Sequence, residues 1–346
     1  MPFQIVQANI LHVPCEAIIN PTDEWFSGSG GLDAQLHQAA GPALREYCGR
    51  LLPLQPGKAE ITPAFNVPCK CLIHTVAPWW TERESDLEQL RRCYRSALSI
   101  AERAGLAQLA FPLIGLGTRG FPKEQVLRIA AEELQAYLLT HEDCFISLVV
   151  HDRTEFLPDT RLLAGVEHWL RANQCFDAGF STSAPRPFEA AQSPREACAD
   201  DEDVTSARAE RPRAQASAWP ASAQMKAEPR FVLDESFSQM LMRKIDEKGF
   251  RKDSECYLRA NIDRKLFSKI RCDENYHPKK TTAVALAVAL ELPLRETREL
   301  LVKAGYSLSP SILFDVIVEY CISERIYDVF IINELLFQYD QPLLGG

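Results

Sequence analysis

Two glycine-rich loops restrict the possible folds more than any other part of this chain. The first runs from Asn20 to Asp33 and the second from Ile114 to Pro122, and each follows a predicted strand and leads into a predicted helix. Glycine lets the backbone adopt positive φ angles and approach a ligand closely. The helix that follows offers unpaired N–H donors and the positive end of its dipole. One such loop is more often a tight turn, but the two together favour a diphosphate site.

Strand and helix patterns alternate around these loops. We predict strands at residues 3–7, 17–19, 71–76, 109–111 and 145–150, and helices at residues 85–104, 123–139 and 159–171. The apolar positions Leu32, Leu36 and Ala39 indicate a further helix directly after the first loop. This alternation is typical of an α/β fold with a largely parallel sheet flanked by helices. In such folds ligands bind at the carboxyl ends of the strands.

The composition changes in the middle of the chain. Residues 174–229 are rich in Ala, Ser, Pro, Arg and Glu and have no apolar period. Such a segment cannot bury enough surface to offset its conformational entropy, so we predict a disordered linker. With 346 residues, the chain is long enough for two domains. We therefore predict an α/β domain at residues 1–172, a linker at residues 173–230 and an all-α domain at residues 231–346.

Cysteine usage and hydropathy favour a cytoplasmic protein. The eleven cysteines show no CxxC spacing, which is typical of reduced thiols. The N-terminus lacks the pattern of a secretory signal, and the longest apolar block, residues 283–290, is too short to span a bilayer. Cys69, Cys71 and His74 lie close together in the sequence, but no fourth ligand has a suitable spacing. We therefore predict no metal site, no cofactor and no membrane partner.

The motifs of the first 172 residues resemble those of the macrodomain family, in order along the chain. They comprise Ala8–Leu11, Glu16–Asp23, Gly28–Gly41, His74–Pro78 and Phe111–Pro122. The resemblance covers nearly all of residues 1–172, and the motifs together are highly specific. It implies a macrodomain-like mixed sheet between helices and a binding cleft for ADP-ribose.

The resemblance also implies a role for particular residues. Asn9 and the Ile10 amide would meet the adenine edge. Asn20 and Asp23 would lie near the distal ribose, and Phe121 would pack beside the adenine or the proximal ribose. The pyrophosphate would be held by both loops, through Gly28, Ser29, Gly30 and Gly31 and through Gly115, Leu116, Gly117, Thr118, Arg119 and Gly120.

Two positions depart from the family pattern. The family usually has Asp at the position of Asn9, where it accepts hydrogen bonds from the adenine amine. Asn9 can accept through its carbonyl, but without charge assistance the bond is expected to be weaker. In the hydrolysing branches an Asn commonly stands where this chain has Asp23. Asp33 is retained at the position of the family's catalytic Asp, and the strand end Val150–Asp152 is a candidate rim of the cleft.

Cleavage at the anomeric carbon of a ribose requires a bound water and help with proton transfer. We predict that Asp33 orients or deprotonates this water. Asp23 could share the work, because neighbouring carboxylates can raise the pKa of one of them. The structural alternatives are a helix cap for Asp33 and a turn for Asp23 after Pro21. His37, one helical turn beyond Asp33, is expected to be a packing or surface residue.

The C-terminal part has the pattern of successive helices, interrupted at Asn261. Over residues 236–305 their order resembles the helix-turn-helix domain of the phage-repressor (Cro-like) family. The resemblance implies a recognition helix whose outward residues contact nucleic acid, namely Arg264, Lys265, Ser268 and Arg271. Residues 243–280 hold 12 basic and 7 acidic groups in a chain of net charge −9. The alternative is a protein-interaction module with a solvated charged face. The tail at residues 326–344 is expected to pack on the bundle or to form a dimer contact.

These observations lead to two functional hypotheses. The first is an ADP-ribosyl hydrolase, or a reader of ADP-ribose, whose partner is ADP-ribose or an ADP-ribosylated macromolecule. In this hypothesis the helical domain targets the enzyme. The second is a transcriptional regulator that binds DNA and whose α/β domain senses ADP-ribose or a related NAD metabolite. Paired carboxylates beside the ribose favour the enzyme, and a basic helix with a dimerising tail favours the regulator.

Overall fold

The computed structural model describes residues 1–152, 156, 158–172, 234–250 and 252–345. The predicted linker lies outside the described residues. The α/β part and the helical part belong to one compact unit. None of the helices among these residues combines the length and the apolar character needed to cross a bilayer.

The α/β part is built on a six-stranded sheet with the order β1-β6-β5-β2-β4-β3. The strands are β1 (Phe3–Gln7), β2 (Ala17–Thr22), β3 (Ala59–Pro63), β4 (Cys71–Val76), β5 (Gln108–Pro112) and β6 (Phe145–Val150). All neighbouring pairs are parallel except β3 with β4, which is antiparallel. The pattern of apolar residues did not predict β3, a short strand at the sheet edge that is only partly buried. The sheet is therefore mixed.

Helices cover both faces of this sheet. They are α1 (Gly31–Ala40), α2 (Pro42–Cys48), α3 (Glu84–Arg103) and α4 (Lys123–Leu138), and α5 (Thr160–Ala172) follows β6 along the chain. Helix α3 buries Leu87, Leu90, Tyr94 and Leu98 on one face, at the three- and four-residue spacing of an amphipathic helix. These side chains join α4 in the core on one side of the sheet, whereas α1 and α2 form the core on the other side. The carboxyl ends of the strands remain uncovered between the two layers.

The helical part contains seven helices among the described residues. They are α6 (Phe237–Lys248), α7 (Asp253–Arg259), α8 (Arg264–Cys272), α9 (Lys280–Ala289), α10 (Leu294–Lys303), α11 (Leu313–Ser323) and α12 (Val329–Gln338). Every residue of α9 from Thr282 to Ala289 is buried, so this helix is the centre of the bundle. Ser236 and Asp263 cap α6 and α8 through their side-chain oxygens. This part is all-α, as predicted.

One helix of each part packs into the hydrophobic core of the other part. Val166 and Leu170 of α5 are buried in the core of the helical bundle. In return, Phe330 and Phe337 of α12 belong to the core of the sheet. The ring of Phe330 lies 4.8 Å from that of Phe3, measured between ring centroids. Each part therefore depends on the other to bury apolar side chains.

Candidate functional site

A cleft of about 640 Å³ runs along the carboxyl edge of the sheet. The strand order places residues along it in sequence, from the end of β1 through β6, β5 and β2 to the end of β4. The lining includes Asn9, Ile10, His151, Gly115, Leu116, Gly117, Thr118, Arg119, Asp23, Ser29, Gly30, Gly31, Asp33 and Trp79. Four steps between neighbouring strands, each about 4.8 Å, give a length of about 19 Å. This length suits an extended molecule with a diphosphate at its middle.

The first glycine loop presents its backbone to the middle of the cleft. Gly30 has a φ of +130°, and a Cβ at this residue would meet no atom within 4 Å. The space beside Gly30 is therefore open cleft. Gly31 begins α1, so the first N–H groups of that helix lie at the cleft wall. Phosphate oxygens are the ligands that such a wall favours.

The second glycine loop packs against the buried aromatic ring of Phe121. Gly115 has a φ of +99°, and a Cβ there would lie 3.2 Å from the ring of Phe121. Phe121 is buried, and its ring centroid lies 5.1 Å from that of Trp80, with the two ring planes tilted by 43°. It does not line the cleft, contrary to the contact with adenine or ribose that the resemblance implied. Gly120 closes the turn Gly117–Arg119 with its N–H and likewise lies outside the lining.

Asp33 lies at the floor of the cleft with most of its acceptor capacity in use. Its Oδ1 accepts from Asn20 Nδ2 at 2.6 Å, and its Oδ2 accepts from Thr22 Oγ1 at 2.9 Å and from the N–H of Gly28 at 3.1 Å. A carboxylate has about four acceptor positions, so three bonds leave one for a ligand or a water. The carboxylate therefore fixes the first loop to β2 and also faces the cleft. Gly28 donates its N–H to Asp33 and does not line the cleft.

A buried polar chain lies behind Asp33. Asn20 is fully buried and is not part of the cleft lining, although the resemblance placed it near the distal ribose. Its Nδ2 also lies 3.0 Å from His74 Nδ1, while His74 Nε2 lies 2.9 Å from Thr62 Oγ1. Burial, followed by the charge of His37, lowers the pKa of His74 to about 3. His74 is therefore neutral, accepts from Asn20 and donates to Thr62. From the sequence, His74 was considered as a metal ligand and as part of the motif His74–Pro78, but not as a partner of Asn20.

His37 contacts the same carboxylate from α1. Its Nε2 lies 3.6 Å from Asp33 Oδ1, and its side chain is only 6% exposed. Neither ring nitrogen has a hydrogen-bond partner among the described residues. His37 is therefore buried beside the candidate catalytic group, which agrees with the expected packing residue and not with a surface residue.

Asp23 lines the cleft, but its carboxylate oxygens are hydrogen-bonded to other residues of the first loop. Its Oδ1 accepts from the N–H groups of Trp25 at 2.9 Å and Ser27 at 3.0 Å, and its Oδ2 accepts from the hydroxyls of Ser27 and Ser29. Burial acts to raise the pKa of Asp23, but the hydrogen bonds from Ser27, Trp25 and Ser29 outweigh it and lower the pKa. The rise in pKa that the sequence suggested for paired carboxylates is therefore absent at Asp23.

An ion pair and an aromatic ring join the two loops beyond Asp23. Arg119 Nη2 lies 3.4 Å from Glu24 Oε2, and the Arg119 guanidinium lies 4.8 Å from the centre of the Trp79 ring. Trp79 lines the cleft and is 60% exposed. Sequence reasoning missed Glu24 and Trp79. A tryptophan three residues beyond the end of a predicted strand was the only available signal for Trp79.

The opposite end of the cleft is formed by β1 and β6. Asn9 lies there with Ile10, Val149 and His151. The Oδ1 of Asn9 accepts from the main-chain N–H of Leu11 at 3.0 Å, which caps the short turn Ile10–His12. Its Nδ2 has no hydrogen-bond partner within the described part of the chain. The carbonyl expected to accept from a base is therefore already engaged.

The predicted nucleic-acid residues lie on α8, outside the cleft. Arg264, Lys265, Ser268 and Arg271 are all exposed, whereas Phe267 and Ile270 are buried. Arg271 forms an ion pair with Asp253 of α7, which reduces its availability to another anion.

Comparisons with known proteins identify the first part of the chain. Residues 19–130 match the family model described as "Macro domain". A macro domain-containing protein of Ralstonia nicotianae is 37% identical over 133 residues, covering 38% of this chain and 78% of that protein. An O-acetyl-ADP-ribose deacetylase of Cronobacter sakazakii is 34% identical over 165 residues, covering 46% of this chain and 92% of the relative. The structure of the Oceanobacillus iheyensis macrodomain with ADP matches with a TM-score of 0.43 and 28% identity, covering 44% of this chain and 85% of that chain.

Proposed function

This chain belongs to the macrodomain family, and from this premise we propose that it binds ADP-ribose and hydrolyses a bond at the distal ribose. The observation that carries the proposal is the order of groups along the cleft. Asn9 and His151 lie at one end, two glycine loops lie in the middle, and Asp33 lies towards the other end. A base, a diphosphate and a ribose follow one another in the same order in ADP-ribose.

The diphosphate is proposed to lie against the backbone of both loops. Gly30 and Gly31 leave open space on one side, and Gly115, Leu116 and Gly117 line the other. Amide donors need no lysine to hold a phosphate, which suits a protein of net charge −9. The distal ribose then lies beside Asp33, with Trp79 and Arg119 at the mouth of the cleft.

Asp33 is the group that we propose to assist hydrolysis. Its one remaining acceptor position can hold a hydrogen of a water molecule and take the proton as the oxygen attacks. Asn20, Thr22 and the Gly28 amide keep the carboxylate in place, so the carboxylate does not have to be reordered when a water binds to it. Asp23 has a structural role in this proposal, because its oxygens are used by its own loop.

The bond that is broken is either an ester or a glycosidic bond. The name of the Cronobacter sakazakii relative supports an acyl ester on the distal ribose. In that case water adds to the acyl carbon, the bond to the ribose oxygen breaks and that oxygen takes a proton. In the glycosidic case, water attacks the anomeric carbon and the departing group takes the proton. The second reaction releases ADP-ribose from a macromolecule.

One assay separates these activities. The full chain is incubated with O-acetyl-ADP-ribose and, separately, with an ADP-ribosylated protein and an ADP-ribosylated oligonucleotide. Chromatography then measures the appearance of acetate and of ADP-ribose. Release of acetate alone supports the esterase, and release of ADP-ribose from a conjugate supports the glycohydrolase. Binding of ADP-ribose without turnover of any substrate contradicts the catalytic part of the proposal.

A non-catalytic sensor that contacts DNA is the second candidate. The observation in its favour is the exposed cationic face of α8, with Arg264, Lys265 and Ser268. Asp253 and the net negative charge oppose it. The full chain is titrated with duplex DNA at two salt concentrations, with and without ADP-ribose. Affinity that falls steeply with salt and is lost in the Arg264→Ala, Lys265→Ala double variant supports DNA contact, and salt-independent or absent binding contradicts it.

A further inference from the structure

The end of the cleft at β1 and β6 has a side chain whose hydrogen-bonding character is fixed by the backbone. Asn9 lines the cleft together with Ile10, Val149 and His151. This is a suitable setting for a flat base. The opposite end holds Asp33 and Trp79, and the two glycine loops separate the two ends.

The orientation of the Asn9 amide follows from its partner. The N–H of Leu11 is a donor, and it lies 3.0 Å from the Asn9 side-chain oxygen. Only an acceptor can meet a donor, so the oxygen must face Leu11 and the NH₂ group must face away from it. No described residue accepts a hydrogen bond from this NH₂ group. Asn9 therefore offers the cleft a donor, whereas an Asp in the same rotamer would offer a second acceptor.

Purines differ at the edge that such a group would contact. Adenine has an amine at position 6, which is a donor, whereas guanine and hypoxanthine have an oxo group there, which is an acceptor next to the acceptor N7. A donor facing the adenine amine leaves both groups without a partner in a partly desolvated site. A donor facing an oxo group forms a hydrogen bond.

We propose that Asn9 makes this cleft selective for a diphosphate ribose with a 6-oxopurine base over ADP-ribose. The inference rests on the proposed function, because it takes the base to lie at the β1 and β6 end. It adds the identity of the base. ADP-ribose still binds through its diphosphate and distal ribose, with lower affinity.

The test compares ADP-ribose with inosine diphosphate ribose, which has the same diphosphate and riboses and carries a 6-oxopurine. Both ligands are titrated calorimetrically into the full chain, the Asn9→Asp variant and the Asn9→Ser variant. Asp and Ser both keep an acceptor for the N–H of Leu11, so the turn remains capped. The ratio of the two dissociation constants is the readout. The added charge in Asn9→Asp weakens the binding of both diphosphates alike and cancels in this ratio.

We expect the unmodified chain to favour inosine diphosphate ribose by about tenfold, the scale of one hydrogen bond. Asn9→Asp should reverse the preference by a similar factor, and Asn9→Ser should bring the ratio close to one. Equal affinities in the unmodified chain, a preference for ADP-ribose or a ratio unchanged in Asn9→Asp would overturn the inference and leave the proposed function standing. Binding of neither ligand at millimolar concentration would overturn both.

Discussion

The side chain of Asn261 forms both main-chain hydrogen bonds of Phe3. The N–H of Phe3 donates to Asn261 Oδ1 at 2.9 Å, and Asn261 Nδ2 donates to the carbonyl of Phe3 at 2.9 Å. Phe3 lies in β1, the outer strand of the sheet, and Asn261 occupies the turn between α7 and α8 with a φ of +55°. The amide thus takes the place of a neighbouring strand at this residue and protects an otherwise open sheet edge.

Removal of this amide should destabilise the whole chain. Asn261→Gly keeps the positive φ at no steric cost but leaves two buried main-chain groups of Phe3 without partners. We expect the free energy of unfolding to fall by about 2 kcal/mol or more, measured by urea denaturation. Asn275→Ala, in an exposed turn, is the control and should change it by less than about 0.5 kcal/mol. Equal stability of the two variants would show that the Asn261 amide contributes nothing.

Truncation after residue 172 should leave an α/β part that is folded poorly or aggregates. The cut exposes Val166 and Leu170 of α5 and removes Phe330 and Phe337 from the sheet core. Loss of a buried Phe alone costs about 3–5 kcal/mol. Thermal unfolding and size-exclusion chromatography of the fragment and of the full chain provide the measurement. A monomeric fragment with the melting temperature of the full chain would contradict this expectation.

A glutamate in the first loop should abolish binding of ADP-ribose. Gly30→Glu places a side chain and a negative charge in the open space that we assign to the diphosphate. Calorimetry should show at least a hundredfold loss of affinity. Gly30→Ala is the control, because it carries the same strain at a φ of +130° without the charge or the length. If both variants bind equally weakly, strain rather than blockage explains the loss.

Asp33→Ala should lower turnover much more than affinity. We expect a loss of about 100-fold or more in kcat, the scale of lost proton-transfer assistance, with the dissociation constant of ADP-ribose within about tenfold. The change also leaves Asn20, Thr22 and the Gly28 amide without their acceptor, so the melting temperature is measured in parallel. A variant that unfolds, or that keeps full turnover while folded, would assign Asp33 a structural role only.

Stability should depend on pH through Glu334. Burial, followed by the charges of Asp328 and Asp159, raises the pKa of Glu334 to about 8 in the folded chain. Between about pH 4.5 and pH 8 the folded state therefore retains a proton that the unfolded state has lost, so the contribution of Glu334 to stability is largest below about pH 4.5 and falls as the pH rises towards 8. Glu334→Gln should raise the free energy of unfolding at pH 8 by roughly 1–3 kcal/mol and flatten this dependence. The exposed Glu324→Gln serves as the control, and an identical pH profile in both variants would contradict the assignment.

Local sequence determined much of the α/β part of this protein. The strands at residues 3–7, 71–76 and 145–150 were predicted with the bounds that the structure gives. Their apolar runs are short and bounded by turn residues, a signal that does not depend on distant contacts. Residues of both glycine loops line the cleft, as expected. Each loop follows a parallel strand, and the carboxyl ends of such strands meet at one edge of the sheet.

Only the tertiary structure decided the partners of the polar groups and the division of the cores. Asp33 was identified by its position, but its donors come from β2 and the first loop, and His74 behind them comes from β4. The contact between Phe3 and Asn261 joins residues 258 positions apart. The helical pattern of α5 and α12 indicates which face is apolar, but not which core receives it. That choice depends on the packing of distant elements, which local periodicity does not encode.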